Sequence, residues 1–146
     1  VSERRLPGER GRRAARRQAV FLLYQRDVTG LPLEDVTENA ARAGEAPDPF
    51  ATALVEGVSV DASHIDGLIG GASQGWSPER IAPLERNIMR VAVHEMLDWP
   101  DIPTAVSIDE AVTLAKRFCQ ADASGLVNGI LGRIAREMPA EEDGDG

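Results

Sequence analysis

Pro83-Leu-Glu-Arg-Asn-Ile-Met-Arg-Val-Ala-Val-His-Glu-Met-Leu97 carries the clearest periodicity in this chain. Leu84, Ile88, Val91, Ala92 and Met96 recur at helical spacing, with Met89, Val93 and Leu97 beside them. An apolar face that wide predicts a central helix covered on more than one side. Pro83 suits a first helical position, and Pro100 and Pro103 end the run.

The same period continues on both sides. Ala15, Ala19, Leu22 and Leu23 form a stripe from about Arg12 to Val28, and Gly30 is placed to cap its end. Leu33 to Arg42 fits a shorter helix with Val36 and Ala40 inward. Asp48 reads as an N-cap with Pro49 at the first helical position. Phe50, Ala53, Leu54, Gly57, Val58, Ile65, Leu68 and Ile69 then predict one long helix, bent near Ser59–Asp61 and closed by Gly70-Gly71. A short helical turn is expected at Ser77-Pro-Glu-Arg80. Beyond the central helix, Ser107-Ile-Asp-Glu110 has capping-box spacing ahead of an inward stripe of Ile108, Ala111, Val112, Ala115, Phe118 and Cys119. Asp122 or Ser124 can cap a last helix that turns Val127, Ile130, Leu131, Ile134 and Met138 inward. Strand signals are nearly absent. The expectation is an all-α bundle of six or seven helices. Residues 12–139 form its single domain, with a flexible arginine-rich arm at 1–11 and a disordered acidic tail at 140–146.

Charge is distributed unevenly. Seven arginines fall within the first seventeen residues: Arg4, Arg5, Arg10, Arg12, Arg13, Arg16 and Arg17, against only Glu3 and Glu9. That segment carries +5 in a chain of net −8, so the remainder carries −13. An acidic protein with its positive charge gathered at one end has a local anion-binding surface, and the usual polyanion is a phosphate backbone. Arginine without lysine favours bidentate phosphate contact. Arg12, Arg13, Arg16 and Arg17 are spaced to lie side by side on one helical face. The competing reading is a solvated arm with no partner.

Other chemistry is sparse. No apolar run approaches a membrane span, and no apolar segment follows the first arginines before Ala19, which argues against a secretory signal. The single Cys119 cannot form an internal disulfide, which fits a reducing, cytoplasmic compartment; on its apolar stripe it reads as a buried small hydrophobe. His64 and His94, the latter on the polar side of the central helix, lack further ligands at metal spacing. No phosphate-binding loop occurs, and nothing selects a catalytic carboxylate pair. No cofactor, metal or enzymatic activity is expected. Arg86, Arg90 and Glu95 read as ties between helices. Gly129 and Gly132 suggest close helix–helix approach, whereas Gly125, near a helix start, also suits close approach by a ligand backbone.

Several segments resemble, in order, the NusB family of transcription antitermination factors. They are Arg12-Arg-Ala-Ala-Arg16 with Leu23-Tyr24; Ile65-Asp66; Leu84-Glu-Arg86, Ile88-Met-Arg90-Val-Ala92 and Glu95-Met-Leu97; Val106-Ser-Ile-Asp-Glu110-Ala-Val112 with Leu114-Ala-Lys-Arg-Phe118; and Val127-Asn-Gly-Ile-Leu131. The resemblance spans Arg12 to Ile134. It implies an all-α fold of two packed helical subdomains and no enzymatic activity. It also implies binding of boxA RNA in ribosomal-RNA leader transcripts together with NusE, a small-subunit ribosomal protein, within an RNA polymerase antitermination complex. Its RNA surface would use Arg12, Arg13 and Arg16, with Arg10 and Arg17 in the same basic segment, and the turn at Asp122, Ala123, Gly125 and Leu126. Tyr24 and Glu85 match positions used toward NusE. Without that resemblance Tyr24 is a rim aromatic and Glu85 a solvated first-turn acid. Gly125-Leu126 departs from the pattern, where many members have a basic residue and a phenylalanine, so a stacking platform is lost there. Asp109 stands where asparagine is commoner.

The leading expectation is thus an RNA-binding adaptor without membrane association. About five arginines on single-stranded phosphates would give a log–log salt slope of about −3.5. A homodimeric protein-interaction module with nonspecific RNA affinity is the alternative. The family's helical domain also occurs as the front end of RNA methyltransferases; no glycine-rich cofactor segment follows here, so a fused enzyme is not expected, and a stand-alone relative stays open. A DNA-binding helix-turn-helix fits poorly, since the later helices carry few clustered positive charges.

Overall fold

The computed structural model describes residues 6–74 and 80–139, without the side chains of Glu9 and Arg10. The first arginines of the arm, the turn expected at Ser77 and the acidic tail fall outside the described residues. Among those described there are seven helices: α1 (Glu9–Thr29), α2 (Leu33–Arg42), α3 (Pro49–Val60), α4 (Ala62–Ala72), α5 (Pro83–Asp98), α6 (Thr104–Phe118) and α7 (Ala123–Glu137). No strand occurs among them.

Helix ends follow local chemistry. Gly30 takes φ +74° and its N–H donates to the Arg26 carbonyl at 2.9 Å, closing α1. The Asp48 carboxylate accepts from the N–H groups of Phe50 and Ala51 at 3.0 and 3.1 Å, opening α3 behind Pro49. The expected long helix is two helices, interrupted at Asp61. Val58, Ser59 and Val60 weaken the helix there, and Ser59 Oγ bonds back to the Val55 carbonyl at 2.9 Å while accepting from Arg26 Nη1 at 3.2 Å. Gly70-Gly71 does not close α4. Burial of Ile69 and Ala72 carries the helix through both glycines, and Gln74 takes the left-handed turn at φ 54°.

Two expected starts also move. α1 begins at Glu9 rather than Arg12, so Arg10 belongs to its first turn. α6 begins at Thr104 behind Pro103, three residues before the capping-box serine. Ser107 is buried within the helix, and its hydroxyl donates to Glu95 Oε1 at 2.8 Å. Asp122 holds the N-cap position of α7 without a side-chain capping bond.

α5 packs against α1 and α3 on one side and against α4, α6 and α7 on the other. Its Ile88, Met89, Val91, Ala92, Val93 and Met96 are all buried, as the width of its apolar face requires. It belongs equally to the N-terminal and C-terminal helical groups, which share one continuous apolar core. Polar groups reinforce the join. Asp27 of α1 accepts from Arg86, Asn87 and Arg90 of α5 at 2.9–3.1 Å, and Arg90 grips Asp66 of α4 with two bonds of 2.8 Å. Burial by itself would raise the Asp27 pKa; the bonds from Asn87 and Arg86 and the charges of Arg90 and Arg26 outweigh it and hold the group below its ordinary value.

His94 is not on a polar side. It is 2% exposed, its Nε2 accepts from the Trp99 indole N–H at 3.2 Å, and its ring lies over Gly57. A β-carbon at Gly57 would fall 2.1 Å from His94 Cε1, so glycine is what admits the imidazole. His64 is exposed, beside Asp61.

Candidate nucleic-acid interface

The pitch of α1 divides its arginines instead of aligning them. Arg16 turns inward and is 4% exposed, whereas Arg13 faces solvent. Arg16 meets Glu95 in a bidentate pair, Nε to Oε2 at 2.6 Å and Nη2 to Oε1 at 2.9 Å. The expected row of four side by side is therefore corrected: Arg16 faces the core, Arg12 and Arg17 are half-buried, and Arg13 alone of the four is exposed. Arg13 and Arg17 remain on the side that faces α6.

Between α1 and α6 lies a groove of about 550 Å³, lined by Arg13, Arg16, Arg17, Glu110, Thr113 and Arg117. Arg13 Nε sits 3.2 Å from the Glu110 carboxylate, and Arg16 Nη1 lies 3.8 Å from it. Arg17 and Arg117 also border a second groove of about 690 Å³ with Gln18, Phe21, Gln25 and Phe118. Phe118 is 36% exposed, not folded into the inward stripe of its helix. The Arg117 guanidinium lies 5.0 Å over its ring, and Phe21 meets it edge-on with centroids 5.1 Å apart. Tyr24 continues this row, edge-on to Phe21 at 6.3 Å.

A third hollow of about 500 Å³ gathers Ile81, Glu85, Gln120, Asp122, Ala123 and Leu126. Glu85 also reaches Cys119. Burial pushes that thiol up, and the charge and hydrogen bond of Glu85 add to the effect, to about 11. Arg17 and Arg117 line both grooves, and Phe118 directly precedes Cys119, which Glu85 ties to the third hollow.

The sequence model of the NusB family matches residues 13–136. The chain belongs to the NusB family. NusB from T. maritima is 33% identical and superposes with a TM-score of 0.80, over 94% of this chain and 97% of that one. A chain from a crystal structure of a plectonemic RNA supercoil is 25% identical, with a TM-score of 0.82 over 91% and 99%. A chain from the crystal structure of antitermination factors NusB and NusE in complex with dsRNA shares the fold at 24% identity, with a TM-score of 0.79 over 89% and 99%.

In this NusB-family chain Glu85, Asp122, Ala123 and Leu126 share one hollow. Leu126 is 45% exposed, while Ala123 is buried and presents little side chain. Gly125 is open, with nothing within 4 Å of a β-carbon built there. Gly129 is equally open and Gly132 would meet only Arg136 Nη1, so the expected close helix approach at these two glycines does not occur. Arg117 and Phe118 escaped the sequence-based choice of site residues. Their signal was an aromatic directly after Lys116-Arg117 in the last turn of α6, misread as part of the inward stripe. Among the described residues no group of His, Cys, Asp or Glu is placed to hold a metal ion, and no helix is long and apolar enough to cross a membrane.

Proposed function

We propose that this chain is a transcription antitermination factor of the cytoplasm. It binds boxA-type single-stranded leader RNA of ribosomal-RNA transcripts together with NusE, and supports read-through by RNA polymerase. The observation that carries this reading is the arginine groove formed by Arg13, Arg17 and Arg117, which runs into the exposed Phe118 ring. Arginine forks suit phosphate oxygens, and an aromatic beside them suits an unpaired base. A family structure pairs NusB with NusE and dsRNA, which supports the choice of partners. Phosphate contacts fall to Arg12, Arg13 and Arg17, joined by Arg117 and extended by Arg10. Arg16 acts from beneath, as the strut that holds α1 against Glu95. Asp122, Gly125 and Leu126 edge the surface where bases pass, and Tyr24 and Glu85 receive NusE. The chain works as an adaptor and carries out no chemistry of its own.

Fluorescence anisotropy tests this with a short boxA-like RNA and a scrambled control, with and without NusE, across a salt series. Selective binding that strengthens with NusE is expected. Three groove arginines give a log–log slope of about −2, and each arm arginine in contact adds about −0.7. Weak binding, equal for both RNAs and indifferent to NusE, would overturn the reading in favour of a self-associating interaction module.

A further inference from the structure

Glu110 is the one carboxylate that lines the arginine groove, and its position is awkward for a phosphate-binding surface. Its side chain is only 16% exposed and sits between two guanidinium groups, the exposed Arg13 at 3.2 Å and the buried Arg16 at 3.8 Å. Arg16 does not need it, since Glu95 already takes that guanidinium in two bonds. Arg13 has no other ion-pair partner among the described residues. A carboxylate presents two oxygens to an arginine much as a phosphate does.

We propose that Glu110 restrains phosphate binding in this groove: it is a resident acceptor that occupies Arg13 until an RNA phosphate displaces it. The inference rests on the RNA-binding reading above. Exposed Arg13 can swing from one acceptor to the other, whereas Glu110 stays anchored beside Arg16. Four arginines line the groove with Glu110, and Glu95 pairs with Arg16 beneath it, so the set sums to +2 with Glu110 ionised. Loss of that one charge would raise the sum to +3 and leave Arg13 free. The consequence is a raised threshold that applies alike to boxA-like and unrelated RNA. A lone phosphate chain gains little by replacing one acceptor with another, so stable binding needs the further contacts that base recognition or a protein partner supplies.

The test compares wild type, Glu110→Gln, Arg13→Ala and the double variant, titrated with labelled boxA-like RNA and with oligouridine of equal length. Glu110→Gln should tighten both complexes about threefold to tenfold, the size expected for removing one nearby charge in a solvated groove. The salt slope should steepen by up to about 0.7 as Arg13 gains a phosphate. In the Arg13→Ala background most of the gain should vanish, because the two residues act as a pair. Glu137→Gln, the same charge change on the far end of α7, should leave binding within about twofold. Glu110→Asp keeps the charge but withdraws the carboxylate by one methylene, and should recover part of the gain; it keeps the test open if the glutamine variant folds poorly. Unchanged or weaker binding by both Glu110 variants, while wild type binds boxA RNA, would overturn the proposal alone. So would an equal gain with and without Arg13, which would reveal a simple field effect. Failure of wild type to bind either RNA would instead overturn the RNA-binding reading, and this inference with it.

Discussion

Arg16→Ala separates structure from recognition on α1. The Arg16 and Glu95 side chains are 5% and 1% exposed, and the pair is bidentate. Removing the guanidinium leaves a buried carboxylate with only the Ser107 hydroxyl and the edge of the Glu110 pair nearby. An orphaned buried charge of this kind costs about 3–5 kcal/mol. That is a large part of the 5–15 kcal/mol typical of a whole domain. For a domain of this length each kcal/mol moves the melting temperature by about 3–4 °C, so a fall of about 9–20 °C is expected. Urea and thermal denaturation followed by circular dichroism measure it. Arg17→Ala, half-buried at the groove and without an ion pair among the described residues, should cost no more than about 1 kcal/mol yet weaken RNA binding. A triple variant, Arg16→Met with Glu95→Met and Ser107→Ala, should recover most of the lost stability, because it removes the desolvated charges together. Arg16→Ala with unaltered stability and an RNA defect equal to that of Arg17→Ala would refute the reasoning. Arg16 would then be a surface ligand of phosphate and not a strut.

Three further outcomes follow from other parts of the molecule. Gly57→Ala should destabilise by about 1–3 kcal/mol, since the new methyl would sit 2.1 Å from His94 Cε1, whereas Gly129→Ala, facing open space in α7, should stabilise by up to about 1 kcal/mol; denaturant midpoints of both variants check the contrast. Asp27 is held below its ordinary pKa of 3.8 in the fold, so its contribution is complete above that value and is lost as pH falls through the depressed one; the stability gap between wild type and Asp27→Asn should therefore be level near neutrality and close only in acid. Cys119, with its pKa pushed from 9.0 to about 11, should react with iodoacetamide at pH 8 roughly 100-fold more slowly than a free thiol, and Glu85→Gln should speed the reaction, as mass spectrometry can time.

The helices were legible because apolar side chains recur at the helical period over every long segment. α2 and α5 match their expected spans, and Gly30 and Asp48 form the caps their sequence promises. What failed were local signals that tertiary partners override. Ser107 looks like a cap until Glu95 is seen to claim its hydroxyl. Gly70-Gly71 looks like a stop until the burial of Ile69 and Ala72 carries the helix past it. His94 looks polar until Gly57 opens a place for its ring. The basic character of α1 was plain in the sequence, but the division of labour within it was not. Spacing in one helix shows which side chains are neighbours; it does not show which of them face a carboxylate on α5, seventy-nine residues away. Arg117 and Phe118 were hidden for the same reason, since α6 brings them to α1 only in the folded chain.

The burial of Arg16 bears on how a surface so rich in arginine remains folded. Like charges at i and i+4 destabilise an isolated helix, and α1 places Arg12, Arg13, Arg16 and Arg17 within one and a half turns. The fold answers with carboxylates from two other helices, Glu95 from α5 and Glu110 from α6. Glu95 is fully committed to the interior and cannot respond to a ligand. Glu110 lies at the boundary and shares its charge between a buried and an exposed guanidinium. The deeper carboxylate thus fixes the helix, while the shallower one leaves Arg13 exchangeable. Neutralising the arginines entirely from within would have steadied α1 and removed its affinity for phosphate. Leaving them all free would have made an unstable helix that binds any polyanion.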